Sequence, residues 1–249
     1  MQKDFDSKMI IRKMIPKKIK KFLRKNSLKF QSAISSKELA KLGEIYKTDK
    51  IDKWHSFSGK SYMDIYSIYF NPIKDEKITL LEIGIKGGAS LRAFKEFFKN
   101  GKILGLDIDP GTAFTDSGIT TYVGSQDSSE VIKKIFDEHP LINIVLDDGS
   151  HVNKLTIASF QLIFDKLPRG SLYIIEDLAC SYLEDSLQEG IKIGNWPGMH
   201  FNDPSVQFVN RRTDMNNFFL KLIREMDERR GEVEFVHFWS QMCIIKKID

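Results

Sequence analysis

Cysteine is scarce in this chain of 249 residues: only Cys180 and Cys243 occur, far apart, which fits a reducing cytoplasm better than a disulfide framework. Long apolar runs are missing as well. None reaches the roughly 18 to 20 residues needed to cross a bilayer. The N-terminus has no unbroken apolar stretch followed by a small-residue cleavage site, so no secretory signal is expected. Internal repeats and low-complexity tracts are absent. No basic groove with interleaved aromatics is apparent in the body of the chain, which argues against a nucleic-acid partner.

Charge is present but unevenly placed. The net +4 conceals eleven Lys or Arg against two Asp in residues 1–30, so the remainder is mildly acidic. Two readings of that basic segment compete. One is a solvated extension. The other is an amphipathic helix over Pro16 to Leu23, with Ile15, Ile19, Phe22 and Leu23 on one side, resting through residues 8–25 on an anionic membrane surface or a partner protein. Residues 1–34 are accordingly set apart as an extension, 35–76 as a helical region flanking the site, and 77–249 as the main domain. Localisation is expected to be cytoplasmic, peripheral at the inner membrane face if the helix docks there.

From Ile78 onward, short apolar runs alternate with longer amphipathic stretches. The runs are Ile78–Ile83, Lys102–Leu106, Thr120–Val123, Ile142–Leu146 and Ser171–Ile175. Helical patterns cover Ser90–Phe98, Ser128–Glu138, Val152–Leu167 and Asp214–Arg229. Ahead of them, Ser35 and Glu38 form a capping-box pattern opening a helix to about Tyr46, and a second helix spans Tyr62–Phe70. Glu232–His237 and Met242–Lys247 read as a closing hairpin. Buried parallel strands with crossover helices give this texture. The expected fold is therefore α/β, a Rossmann-like seven-stranded sheet, mostly parallel with an antiparallel closing strand and preceded by N-terminal helices.

Such sheets bind ligands at the carboxyl ends of their strands, and polar residues follow four of the runs. After the first comes Glu82-Ile83-Gly84-Ile85-Lys86-Gly87-Gly88-Ala89-Ser90, whose glycines permit a tight turn and close approach of a ligand. The second ends at Asp107, suited to a ribose diol. The third is followed by Gln126 and Asp127, suited to an adenine edge or simply to capping the next helix. The glycine spacing departs from the NAD fingerprint. The fourth run ends in Asp147-Asp148-Gly149-Ser150-His151 and the fifth in Glu176-Asp177. Carboxylates gathered at neighbouring strand tips need a compensating cation, and an oxygen-rich set suits Mg²⁺.

The stretch Val145 to Leu178, with its Asp-Asp-Gly-Ser-His run and Glu-Asp pair, resembles a family of metal-dependent sugar O-methyltransferases. These are class I S-adenosylmethionine-dependent enzymes of the mycinamicin macrolide-sugar type and of bacterial capsular polysaccharides. Tyr46-Lys47-Thr48-Asp49-Lys50, followed by His55, is similar to that family's Tyr-x-Thr-Asp-Lys…His signature, and Val236-His237-Phe238 with Ile244-Ile245-Lys246 match its closing strands. The resemblance spans about residues 40–247. It implies S-adenosylmethionine held by Glu82, Gly84, Gly88, Ser90, Asp107, Gln126 and Asp127, with S-adenosylhomocysteine as product. It implies Mg²⁺ on Asp147, Glu176 and Asp177, with Asp148 as the alternative strand-tip ligand. His237 is the implied base, with Asp147 part of the catalytic set; His151 is read from its place after the fourth run either as a cap of the next helix or as sharing the base role.

The chemistry is one displacement, in which a sugar hydroxyl made acidic by the ion attacks the sulfonium methyl. The acceptor expected is a small molecule or glycan precursor of a capsule or surface polysaccharide. Rival readings keep the fold with a phosphoramidate or phenolic acceptor, or make the chain a cofactor-binding scaffold for a partner enzyme. Assembly into a homo-oligomer stays open. Ala179, Cys180 and Phe57 depart from the family pattern, and residues 179–212, with Trp196, Pro197 and His200, are expected to roof the acceptor pocket.

Overall fold

The computed structural model describes residues 37–53, 59–182 and 210–249. The basic segment 8–25, Ser35, His55, Phe57, Trp196, Pro197 and His200 lie outside the described residues, and so do the readings that rest on them.

Among the described residues, eight strands form one sheet in the order β3-β4-β2-β1-β5-β6-β8-β7. They are β1 (Thr79–Ile83), β2 (Lys102–Asp107), β3 (Thr115–Asp116), β4 (Ile119–Val123), β5 (Ile144–Asp147), β6 (Leu172–Ile175), β7 (Val233–Trp239) and β8 (Met242–Lys247). The first helical segment covers residues 37–46, called α1. Then come α2 (Tyr62–Phe70), α3 (Ala89–Phe97), α4 (Ser129–Glu138), α5 (Asn153–Ile163) and α6 (Arg212–Asp227). Strands β4, β2, β1, β5 and β6 run parallel, whereas β8 lies antiparallel between β6 and β7.

The sheet has one strand more than the sequence pattern indicates. The addition, Thr115–Asp116, pairs antiparallel with Thr120 and Ile119 at the outer edge. Both of its residues are exposed, so no apolar alternation marks it. The remaining boundaries agree within two or three residues, apart from the Val152–Leu167 pattern, which divides into α5 and a 3-10 turn at Phe164–Lys166.

Local chemistry explains where helices begin. Ser61 caps α2 by accepting from Asp64 N, while the Asp64 carboxylate accepts from Ser61 N, a reciprocal capping box. Ser128 caps α4 through Val131 N. Apolar residues then line both faces of the sheet. One layer joins Leu81, Leu104, Val145 and Tyr173 to Phe160, Phe164 and Phe218, with ring centroids of Phe160 and Tyr173 5.0 Å apart. The other joins Leu80, Ile103, Ile144 and Ile174 to Leu39, Tyr66, Phe70 and Phe94, so the helices before the sheet share its core.

The chain leaves β1 toward β2 and β4 on one side and continues to β5 and β6 on the other. The change of direction falls between β1 and β5, where open α/β sheets place their crevice. Among the described residues, no helix is long and apolar enough to cross a membrane. Cys180 and Cys243 are both buried.

Candidate functional site

At the β1–β5 junction the two loops touch. Gly84 has φ +90°, and a Cβ there would lie 2.1 Å from the Asp148 carbonyl oxygen. Only glycine fits, in backbone and in space. Asp148 N donates to Ile83 O at 3.0 Å, locking the turn after β1 against the tip of β5. Farther along that turn, Gly88 (φ +71°) opens α3, and a Cβ there would strike the Phe114 ring at 2.4 Å.

Asp107 braces the turn from the neighbouring strand. Its Oδ2 accepts from Ile85 N at 2.7 Å, and its Oδ1 accepts from Asp109 N at 2.9 Å. Glu82 is fully buried. Ser90 Oγ donates to its Oε2 at 2.6 Å, whereas Oε1 accepts no hydrogen bond. Burial pushes the Glu82 carboxyl up to about 7 against the opposing pull of Lys50.

Gln126 is engaged differently from the sequence reading. Its amide nitrogen donates to Ser159 Oγ (2.7 Å) and Asp147 Oδ1 (3.2 Å), and its oxygen accepts from Ser150 N (2.8 Å). Its donor and acceptor atoms are thus already used in bracing the loop after β5. Asp127 is exposed and bonded to the Ser125 hydroxyl.

The strand-tip carboxylates divide into two groups. One ligand atom each from Asp148, His151 and Asp177 lies within 4.8 Å of the others. His151 Nε2 stands 3.9 Å from Asp148 Oδ1 and 3.8 Å from Asp177 Oδ2. His151 (φ +54°) and Asp177 (φ +53°) both adopt left-handed backbone, and such non-glycine strain gathers at functional sites.

Asp147, expected among the ligands, points elsewhere. It is 2% exposed, and its oxygens accept from Tyr173 Oη (2.9 Å) and Gln126 Nε2. Burial raises its pKa to about 6, opposed by the Tyr173 bond. Strand parity explains this, because Asp147 shares a face with Val145 and bonds to Tyr173, both in one core layer. Asp148, the alternative strand-tip residue, is the one that faces His151 and Asp177.

Glu176 is held by partners that the sequence reading did not foresee in this role. Lys50 Nζ donates to both its oxygens, at 2.9 and 2.8 Å, and Tyr66 Oη donates to Oε1. The same ammonium reaches Asp148 Oδ2 at 2.5 Å and Glu82 Oε1 at 3.4 Å. Burial alone would lower the Lys50 pKa, but the three carboxylates Asp148, Glu176 and Glu82 carry it well above the ordinary lysine value. Glu176 is shifted upward by its burial and by Asp148. Tyr62 Oη donates to Asp177 Oδ1 at 2.6 Å.

Lys50 lies in the quoted Thr-Asp-Lys signature, and the i, i+4 spacing of Tyr62 and Tyr66 was visible on α2. Nothing in local periodicity, however, links them to Asp148, Glu176 and Asp177, which lie 98 to 126 residues downstream. A shallow, open depression beside the cluster is lined by His151, Asp177, Thr156, Ser181 and Met215 among others.

His237, the base implied by the resemblance, lies exposed on β7. Its Nδ1 sits 3.0 Å from Tyr69 Oη, and its ring stacks on Phe235 at 4.0 Å. None of these contacts reaches the acidic cluster. His139 pairs with Tyr122 instead.

No protein-family model matches the chain. It is 32% identical over 152 residues, 58% of its length, to the 8-demethyl-8-(2-methoxy-alpha-L-rhamnosyl)-tetracenomycin-C 3'-O-methyltransferase of Streptomyces olivaceus, covering 38% of that protein. To the demethylmacrocin O-methyltransferase of Streptomyces fradiae it is 36% identical over 152 residues, covering 58% of this chain and 37% of that one. The chain therefore spans less than two-fifths of the curated relatives it matches. Among solved structures it resembles the MycE methyltransferase from the mycinamycin biosynthetic pathway in complex with Mg, SAH and mycinamycin VI. The TM-score is 0.64 at 26% identity, covering 85% of this chain and 54% of that one. The chain has the Rossmann-like methyltransferase fold, and the curated relatives it matches are named as O-methyltransferases.

Proposed function

We propose that the protein is an S-adenosylmethionine-dependent O-methyltransferase that methylates a sugar hydroxyl with the help of a divalent ion. The observation that carries this is the cluster of Asp148, His151 and Asp177, set against the glycine turn of β1 by the contact of Gly84 with Asp148. On this reading a donor pocket and a cation pocket lie side by side at the sheet's crevice. Supporting it, the similar MycE structure was solved with Mg and SAH.

The donor set fits Mg²⁺. Hard cations prefer oxygen, so Asp148 and Asp177 would hold the ion, which would orient an acceptor hydroxyl and make it more acidic. Glu82, the Gly84–Gly88 turn and Asp107 hold the methyl donor. His151, left as a nitrogen base, takes the hydroxyl proton as the oxygen attacks the sulfonium methyl and the carbon–sulfur electron pair returns to sulfur. Proton removal by a placed base is worth about 10² to 10⁴ in rate, and holding oxygen and methyl near attack distance supplies more.

The acceptor is a glycosylated small molecule or a glycan precursor, with surface polysaccharide as the biosynthetic setting expected from the sequence. Calorimetry with S-adenosylhomocysteine should give saturable heat. Transfer of labelled methyl from S-adenosylmethionine to a panel of glycosides and sugar nucleotides should need Mg²⁺ and stop with EDTA. Absence of S-adenosylhomocysteine binding would remove the enzyme class. Transfer undiminished by chelation would remove the ion.

A further inference from the structure

The buried cation of this site is a lysine. Lys50 comes from a 3-10 turn, Asp49–Ile51, and is 3% exposed. Its ammonium gathers carboxylates from the tips of three adjacent strands: Glu82 on β1, Asp148 after β5 and Glu176 after β6. Both oxygens of Glu176 are committed to it. Asp148 is shared. Its Oδ2 bonds to Lys50 at 2.5 Å, while its Oδ1 faces His151 in the candidate ion pocket.

We infer that Lys50 is a positioning residue that competes with the divalent ion. The inference rests on the proposed ion site. A fixed positive charge and the ion would lie on opposite oxygens of one carboxylate, and with Lys50 buried and Asp148 only 23% exposed, water screens them less than in bulk. The ion therefore binds against the repulsion of Lys50, and it gains Glu176 as a ligand only when the ammonium lets go. In return, Lys50 balances three buried carboxylates that would otherwise repel one another. The site is thereby held together before the ion arrives, at the cost of ion affinity.

The test is Mn²⁺ binding at one fixed pH, followed by electron paramagnetic resonance, for the full chain and its Lys50→Met, Lys50→Gln, Lys50→Arg and Asp177→Asn variants. Thermal melts establish that each is folded. Lys50→Met and Lys50→Gln should bind Mn²⁺ at least about tenfold tighter, as removal of a like charge demands. Lys50→Arg, which keeps the charge, should stay near wild type. A lysine that merely stabilises the fold would change the melting temperature and leave Mn²⁺ affinity equal or weaker, and that result overturns the inference.

A measurement on the unaltered protein covers the case in which the variants fail to fold. Mg²⁺ titration should move the Lys50 ammonium ¹⁵N signal with the same saturation as ion binding, and an unmoved signal overturns the idea. Failure of the underlying ion site looks different: wild type would bind no Mn²⁺, or Asp177→Asn would bind it as wild type does. Both proposals then fall together, whereas saturable, Asp177-dependent binding with no tightening in Lys50→Met sinks the lysine inference alone.

Discussion

Replacing each member of the Asp147-Asp148 pair by asparagine separates a structural carboxylate from an ion ligand, and the two variants should behave oppositely. Burial lifts Asp147 to about 6 from its ordinary 3.8. A raised folded-state pKa means that the folded protein holds its proton more tightly than the unfolded chain. The associated stability is fully present below the unfolded pKa and is lost as pH rises through the folded one. At about 1.4 kcal/mol per unit, the ionised carboxylate costs the fold about 3 kcal/mol by about pH 8, and about 1 kcal/mol of that has already been incurred at about pH 4.5.

Asparagine removes the charge and can keep both partners: its oxygen accepts from Gln126 Nε2, and its NH₂ donates to the Tyr173 hydroxyl, which accepts as well as donates. Relative to wild type, Asp147→Asn should gain about 2 kcal/mol in urea unfolding between about pH 4.5 and about pH 8, ending near or above wild-type stability. Its Mn²⁺ affinity should survive. Asp148→Asn should instead lose Mn²⁺ binding by about a hundredfold or more, since it removes a direct ligand. Parallel stability–pH curves for wild type and Asp147→Asn, or loss of Mn²⁺ binding in that variant, would refute the division of roles.

Two further outcomes follow from the geometry. His151→Asn, chosen because asparagine tolerates the φ of +54° at that position, should slow methyl transfer about 10² to 10⁴-fold. Its S-adenosylhomocysteine affinity should stay within about threefold in calorimetry, and a comparable loss of binding would show that the residue shapes the pocket instead. Gly84→Ala places a methyl group against the Asp148 carbonyl and should cost at least about 2 kcal/mol in stability. It should also weaken both S-adenosylhomocysteine and Mn²⁺ binding, and a variant that bound both normally would break the link between the two pockets.

The sheet was legible because strands covered on both faces, such as Ile144–Leu146 and Leu172–Ile175, read as unbroken apolar runs. That same double covering hid the parity of Asp147. With both faces buried, alternation carries no visible in-or-out signal, so only the partner Tyr173 reveals which aspartate turns inward. Thr115–Asp116 escaped notice because an exposed two-residue edge strand has no pattern to read. Lys50 sat in plain view within a quoted motif, yet its role depends on carboxylates 98 and 126 positions downstream. His237 was assigned by likeness alone, and its contacts on β7 are with Tyr69 and Phe235.

Tyr62 and Tyr66 stand one turn apart on α2 and grip consecutive residues, Asp177 and Glu176. Tyr66 also stacks on Phe70, with centroids 5.3 Å apart, and meets Phe94 edge-on at 5.9 Å. The rings beneath the site thus work as a tiller. Truncating Phe94, which touches neither carboxylate in any hydrogen bond or ion pair, would let α2 rock and swing two neighbouring acids together. Lesions deep in that aromatic stack should therefore surface as faults in ion capture before they surface as unfolding.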